Sequence, residues 1–238
     1  MNWKLSLFIV FAFAFAGILV IIQLITGIGF EIFVFPQLAP TLGYILIILI
    51  FKDMYKPIII FVNKNVLIKV FIALLLPLLL FTVTCIIGLF LGIEMKTNKF
   101  FEIVNISIIG LLIGCITEEI GWRSFFQPSL SQKYSVFISS LIVGIVWGLW
   151  HVSYYQNGLL FMLVFIFFTI SVSIIVVFLQ KNTQNNLIIS ALFHSSINIG
   201  AKILSTEDSL NIINSIVWLI VSIIITIYDR ENMFNKAK

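Results

Sequence analysis

Long apolar runs separated by short polar connections set the pattern of this chain. Crossing about 30 Å of hydrocarbon takes roughly 20 helical residues. Eight stretches reach or approach that length, over residues 5–28, 32–51, 66–92, 101–127, 134–155, 158–180, 185–204 and 210–229. They predict an all-α integral membrane protein, a single transmembrane domain over 1–238 with about eight transmembrane helices. Pro36, Pro40 and Pro77 fall within or at the edge of the second and third stretches, where a residue without an N–H kinks or ends a helix. The first stretch carries Lys4 and an alternation of Ala12, Ala14 and Ala16 that resembles a cleavage signal, but its apolar run continues to Ile25 and predicts a retained anchor.

Composition agrees with that pattern: 61% of the 238 residues are hydrophobic, 10% are charged and the mean hydropathy is +1.17. A soluble core could not hide so much apolar surface. The formal charge of +4 is scattered over short connections and forms no basic patch, which excludes a nucleic-acid partner. Distributed over eight spans, eleven Lys and Arg (4, 52, 56, 64, 69, 123, 133, 181, 230, 236 and 238) fall on the side of the termini and three (96, 99 and 202) fall opposite. That asymmetry predicts cytoplasmic termini in a multi-pass membrane protein. The basic 52–69 connection also holds the apolar piece Ile58–Val62, which fits a segment lying on the membrane surface. Cys85 and Cys115 are isolated within apolar runs and read as small packing residues. No repeat or soluble domain stands out, so the lipid bilayer is the first partner and the function lies in or beside it.

Candidate chemistry begins with Glu118-Glu119-Ile120-Gly121-Trp122-Arg123, three formal charges inside an apolar span. Each such charge costs about 2.5–3.5 kcal/mol at mid-bilayer even on a lenient scale, so it marks a functional site by default. Glu119 and Arg123 stand four apart with the acid first, the favourable order for an intrahelical ion pair. Glu118 points about 100° away and shares its face with Gly110, Gly114 and Gly121. That small-residue stripe would admit another helix or a substrate backbone.

Two other spans carry the only histidines. His151 follows Gly144, Trp147 and Gly148 at helical spacing, and His194 lies in a polar stripe of Ser190, His194 and Asn198. Either histidine alone reads as a hydrogen-bonded structural group, and a Ser/Asn stripe alone reads as interhelical glue. Three small-residue faces with reactive groups together predict a polar intramembrane cavity, within a catalytic core over about 101–204. Counted from the cytoplasmic starts of their spans, His194 lies about 14 Å deep and His151 about 25 Å, so tilt, offset or a late helix start must bring them level.

Glu118-Glu119-x-x-x-Arg123, Trp147-x-x-x-His151 and His194-x-x-x-Asn198 resemble the EExxxR, FxxxH and HxxxN motifs of the CPBP (Abi) family, the type II CAAX prenyl endopeptidases and their bacterial relatives. The order and the intervals match as well. Trp147 departs from the family's usual phenylalanine, keeping an aromatic wall while changing its shape. The resemblance implies a glutamate-dependent intramembrane protease without cofactor, acting on a membrane peptide or lipidated protein. It implies that Glu118 and His151 activate water, that His194 and Asn198 stabilise the oxyanion, and that Glu119 and Arg123 hold the helix.

A zinc reading would use Glu118, His151 and His194 as ligands. The absence of HExxH and the spread of these residues over three helices favour the metal-free one. A binding, regulatory or bacteriocin-immunity protein without turnover is the second class of function. Retention of all four reactive groups speaks against it. A small transporter would require paired halves with broken helices, which the pattern lacks.

Overall fold

The computed structural model describes residues 3–93, 96–97, 107–205 and 208–236. Within them, each apolar stretch yields one helix: α1 Trp3–Thr26, α2 Ala39–Ile50, α3 Lys64–Phe90, α4 Ser107–Glu119, α5 Val136–Trp150, α6 Leu159–Gln180, α7 Leu187–Ile203 and α8 Asp208–Tyr228. The first residues of the expected 101–127 span, 101–106, lie outside the described residues. Four helices, α1, α3, α6 and residues 210–228 of α8, are long and apolar enough to cross a membrane. The apolar helices of the second, fifth and seventh stretches are shorter, so among the described residues four of the expected spans have full crossing length and shorter apolar helices pack among them. The chain is a multi-pass membrane protein. Apolar side chains face outward along its helices, among them Phe71 and Phe90 at 63% and 87% exposure, as a lipid-facing surface allows.

Local sequence sets where these helices start and stop. Pro36 opens a 3-10 turn over Phe35–Leu38 and Pro40 sits in the first turn of α2, places where a missing N–H costs nothing. The expected 32–51 helix therefore begins at Ala39. Pro77 behaves differently, since α3 runs through it unbroken. After Glu119 the chain widens into a π-helical turn, Ile120–Phe126, followed by a short helix Gln127–Ser131. Trp122, Phe125 and Phe126 of that turn are fully buried against Phe8 of α1, and Phe125 stacks on Tyr44 of α2 at 4.7 Å.

Successive helices run in opposite directions and their connections gather at two ends. At one end Lys4 pairs with Asp53, Lys181 pairs with Asp229, Lys69 donates to the Lys181 carbonyl, and the Val136 N–H bonds the Asn235 carbonyl. Residues 55–63 form no helix or strand here, with Ile58, Ile60 and Val62 exposed. The carbonyls of Ile59 and Phe61 receive the Leu187 N–H and the Asn186 amide. That connection, with Thr183 and Asn186 fully buried, sits beneath the start of α7, so α7 begins inside the protein. At the other end a two-residue antiparallel pair, β1 Lys96–Thr97 with β2 Leu204–Ser205, ties the α3–α4 connection to the end of α7.

Candidate active site

The glycine stripe of α4 is occupied by the chain itself. A Cβ at Gly110 would strike the Ile32 carbonyl, one at Gly114 the Gln37 side chain and one at Gly121 the Pro40 backbone. These glycines seat the 32–40 segment, so the expected close approach is made by the chain leading into α2 and, at Gly121, by the first turn of α2 itself. The glycines beside His151 are also filled, Gly144 and Gly148 by α6 at Ile170 and at Thr169 and Ile166.

Close packing brings Gln37 to Glu118. Its Nε2 donates to Glu118 Oε1 at 2.9 Å, and the Trp147 indole Nε1 donates to Oε2 at 2.9 Å. The Glu118 carboxylate is thus held at both oxygens by other segments of the chain, 2% exposed, at the wall of a cavity. Trp147 supplies an N–H as well as an aromatic wall. Its ring meets His151 and His194 edge-on at 5.7 and 5.2 Å, with the Arg123 guanidinium 5.2 Å from its face.

Glu119 and Arg123 do pair, with Oε2 3.3 Å from Nε, both buried. The pair is not self-contained. Glu119 Oε1 also meets His194 Nδ1 at 3.0 Å, and Arg123 Nη2 donates to Ser173 of α6 at 3.1 Å. One carboxylate therefore joins α4 to α7, and a guanidinium 1% exposed joins the π turn after α4 to α6. Such a buried group is tolerable only with these partners in place.

The two histidines have different constraints. His151 lies where α5 stops, its backbone at φ −76° and ψ 60°, and the chain continues as a 3-10 turn, Val152–Asn157. Its Nδ1 is 2.8 Å from the Trp147 carbonyl, which can only accept. The neutral ring therefore carries its proton on Nδ1 and leaves the Nε2 lone pair available. His194 Nδ1 faces a carboxylate, so its remaining nitrogen donates only when the ring is an imidazolium. Asn198, one turn further along α7, donates from Nδ2 to Cys115 Sγ at 3.3 Å. Cys115 is thus a hydrogen-bond partner as well as a packing residue.

Glu118, His151, His194 and Asn198 converge on one cavity of about 660 Å³, whose wall includes Glu31, Gln37 and Tyr154. A second lobe of about 330 Å³ shares His151, Tyr154, His194 and Asn198 and is lined mainly by aromatic side chains, including Trp147, Phe161 and Phe165. The buried start of α7 and the stop of α5 at His151 bring the two histidines level, as their unequal depths required. Gln37 escaped notice because its span reads as plain apolar chain. The available signal was an amide between two prolines in a membrane stretch, and polar groups at that depth are costly.

The family model for Type II CAAX prenyl endopeptidase Rce1-like matches residues 100–200. CAAX prenyl protease 2 of Methanococcus maripaludis is 29% identical over 137 residues, covering 53% of this chain and 51% of that protein. Lysostaphin resistance protein A of Staphylococcus haemolyticus is 28% identical over 221 residues, 87% of this chain and 60% of the relative. The protein of that name from Staphylococcus aureus is 28% identical over 219 residues, 87% and 51% respectively. The chain spans about half to three fifths of the length of these relatives. Through residues 100–200, the stretch holding both carboxylates and both histidines, the chain is similar to the Rce1-like type II CAAX prenyl endopeptidases.

Proposed function

We propose that this chain is an intramembrane endopeptidase that hydrolyses a peptide bond in a membrane-associated or lipidated peptide. The observation that carries this reading is the Glu118 carboxylate, fixed by Gln37 and Trp147 at the wall of the cavity it shares with His151, His194 and Asn198. Water entering between Glu118 and His151 gives up a proton to the carboxylate as its oxygen attacks the scissile carbonyl carbon. The Nε2 lone pair of His151 accepts the water's second hydrogen bond and orients the attack. Negative charge then develops on the carbonyl oxygen, toward Asn198 Nδ2 and, in the imidazolium form, His194 Nε2. Collapse breaks the C–N bond, and the protonated Glu118 carboxyl returns its proton to the departing amine. The aromatic lobe suits a large apolar residue of the substrate beside the scissile bond.

The mechanism is proposed without metal. Both Glu118 oxygens already accept N–H groups, and His194 Nδ1 is committed to Glu119. Among the described residues no group of three or more His, Cys, Asp or Glu is arranged to hold a metal ion. The test is cleavage of a membrane peptide by purified protein, comparing wild type with Glu118→Gln and His151→Ala, with and without a strong chelator. Cleavage lost in both variants and retained with chelator is expected. Equal product from all three proteins removes the peptidase reading, and loss on chelation overturns the metal-free one.

Binding without turnover is the second reading. It is kept because the relatives that align with most of the chain are named for lysostaphin resistance and not for proteolysis. A host whose lysostaphin resistance depends on this chain separates the two. Resistance that survives Glu118→Gln supports binding, and resistance lost with cleavage supports the peptidase.

A further inference from the structure

We propose that the cavity receives its substrate from the non-cytoplasmic face of the membrane, so that the peptide cut is one exposed on the outer side. The cleavage part of this statement rests on the peptidase reading; the direction of access does not.

The two ends of the bundle differ in charge. Lys4, Lys52, Lys56, Lys133, Lys181 and Arg230 all stand at the end where Lys4 meets Asp53 and Lys181 meets Asp229. In the sequence, the connections at the opposite end hold Lys96, Lys99 and Lys202 together with Glu31, Glu94, Glu102, Glu207 and Asp208. Excess Lys and Arg on short connections marks the cytoplasmic side. The basic end therefore faces the cytoplasm and the opposite end faces outward.

The cavity belongs to the outward end. Glu31 and Phe33 come from the connection after α1, Ser153 and Tyr154 from the turn after α5, and Ala201 from the last turns of α7. Its rim is exposed at Phe30, Ile32, Val152 and Tyr154. Among the described residues neither lobe is lined by a Lys or Arg. In the chain direction toward the basic end, Glu118 is followed by Trp122, Phe125, Phe126 and Leu130 of the π turn and the short helix after it, all fully buried. Among the described residues the exposed rim therefore lies on the side away from the basic connections.

The test uses the full chain in intact cells, carrying either Ser153→Cys at the rim or Lys133→Cys at the basic end. Cys85 and Cys115 stay in place because both are buried, and the unaltered chain serves as the blank. A membrane-impermeant maleimide is expected to label Ser153→Cys in intact cells and Lys133→Cys only after the cells are opened. The reverse pattern, or equal labelling of both before opening, overturns the proposal. Glu31→Cys provides a second rim position should Ser153→Cys fail to accumulate. In sealed right-side-out vesicles an added peptide is expected to be cut without detergent. Cutting only after detergent overturns outward access and leaves the peptidase reading intact. No cutting in either state overturns the peptidase reading, and the labelling then decides orientation alone.

Discussion

Glu118 and Glu119 are neighbours in sequence, yet a helix sends their side chains to different company. Glu118 meets two N–H donors at a cavity wall, and Glu119 meets Arg123 and His194 in the packed interior. That division was legible from the 100° step between adjacent helical residues, and so was the Glu119–Arg123 spacing. The roles of Gln37 and of the Trp147 N–H were not, because each depends on which helix packs opposite. Trp147→Phe keeps the aromatic wall and removes the donor. A hydrogen bond to a charged group contributes about 1.5–3 kcal/mol. The variant is therefore expected to lose about 10- to 100-fold in kcat/KM while folding normally, as measured by peptide cleavage and thermal unfolding in detergent. An unchanged rate would mean that the indole N–H does not hold the base. Asn198→Ala removes the donor proposed to meet the developing oxyanion, and the expected loss is about 10²–10³-fold in kcat with little change in KM. A rise in KM at constant kcat would instead make Asn198 a substrate-binding group.

At the scale of elements, the apolar pattern located each helix, while breaks in helical geometry position the site. The π turn after Glu119, the stop at His151 and the buried start of α7 left no mark in the hydropathy pattern, since all three arise from packing between segments distant in the chain. Glycines carried a readable signal with an unreadable partner. Their stripe on α4 announced a close approach, and the 32–40 segment fills it. Gly121→Val drives a side chain into the Pro40 backbone, whereas Gly17 has open space around its Cβ position. Overpacking costs about 1–3 kcal/mol, so Gly121→Val is expected to lower the unfolding temperature in detergent. Gly17→Ala, in a helix interior with room to spare, is expected to hold or raise it. Equal behaviour of the two variants would contradict the packing of α2 on the π turn.

At the scale of the whole molecule, class and chain course could be read from apolar length and the placement of Lys and Arg. How many helices cross fully could not, because length measured in residues does not say where a helix begins in depth. The buried cluster has a consequence for biogenesis. Three charges placed near mid-bilayer oppose insertion of α4 and the turn after it by roughly 8–10 kcal/mol, against only about 0.3–0.6 kcal/mol gained from each Leu or Ile. Gln37 precedes them and Glu119 pairs with Arg123 inside the segment, but their other partners, Trp147, Ser173 and His194, emerge from the ribosome later. This segment must therefore wait at the translocon or enter together with α5, α6 and α7. A nascent chain ending at residue 135 is expected to leave residues 107–131 uninserted by protease protection, and one extended to residue 205 is expected to shield them. Equal protection of both chains would show that the segment enters alone, with its charges satisfied by water or lipid until the later helices arrive.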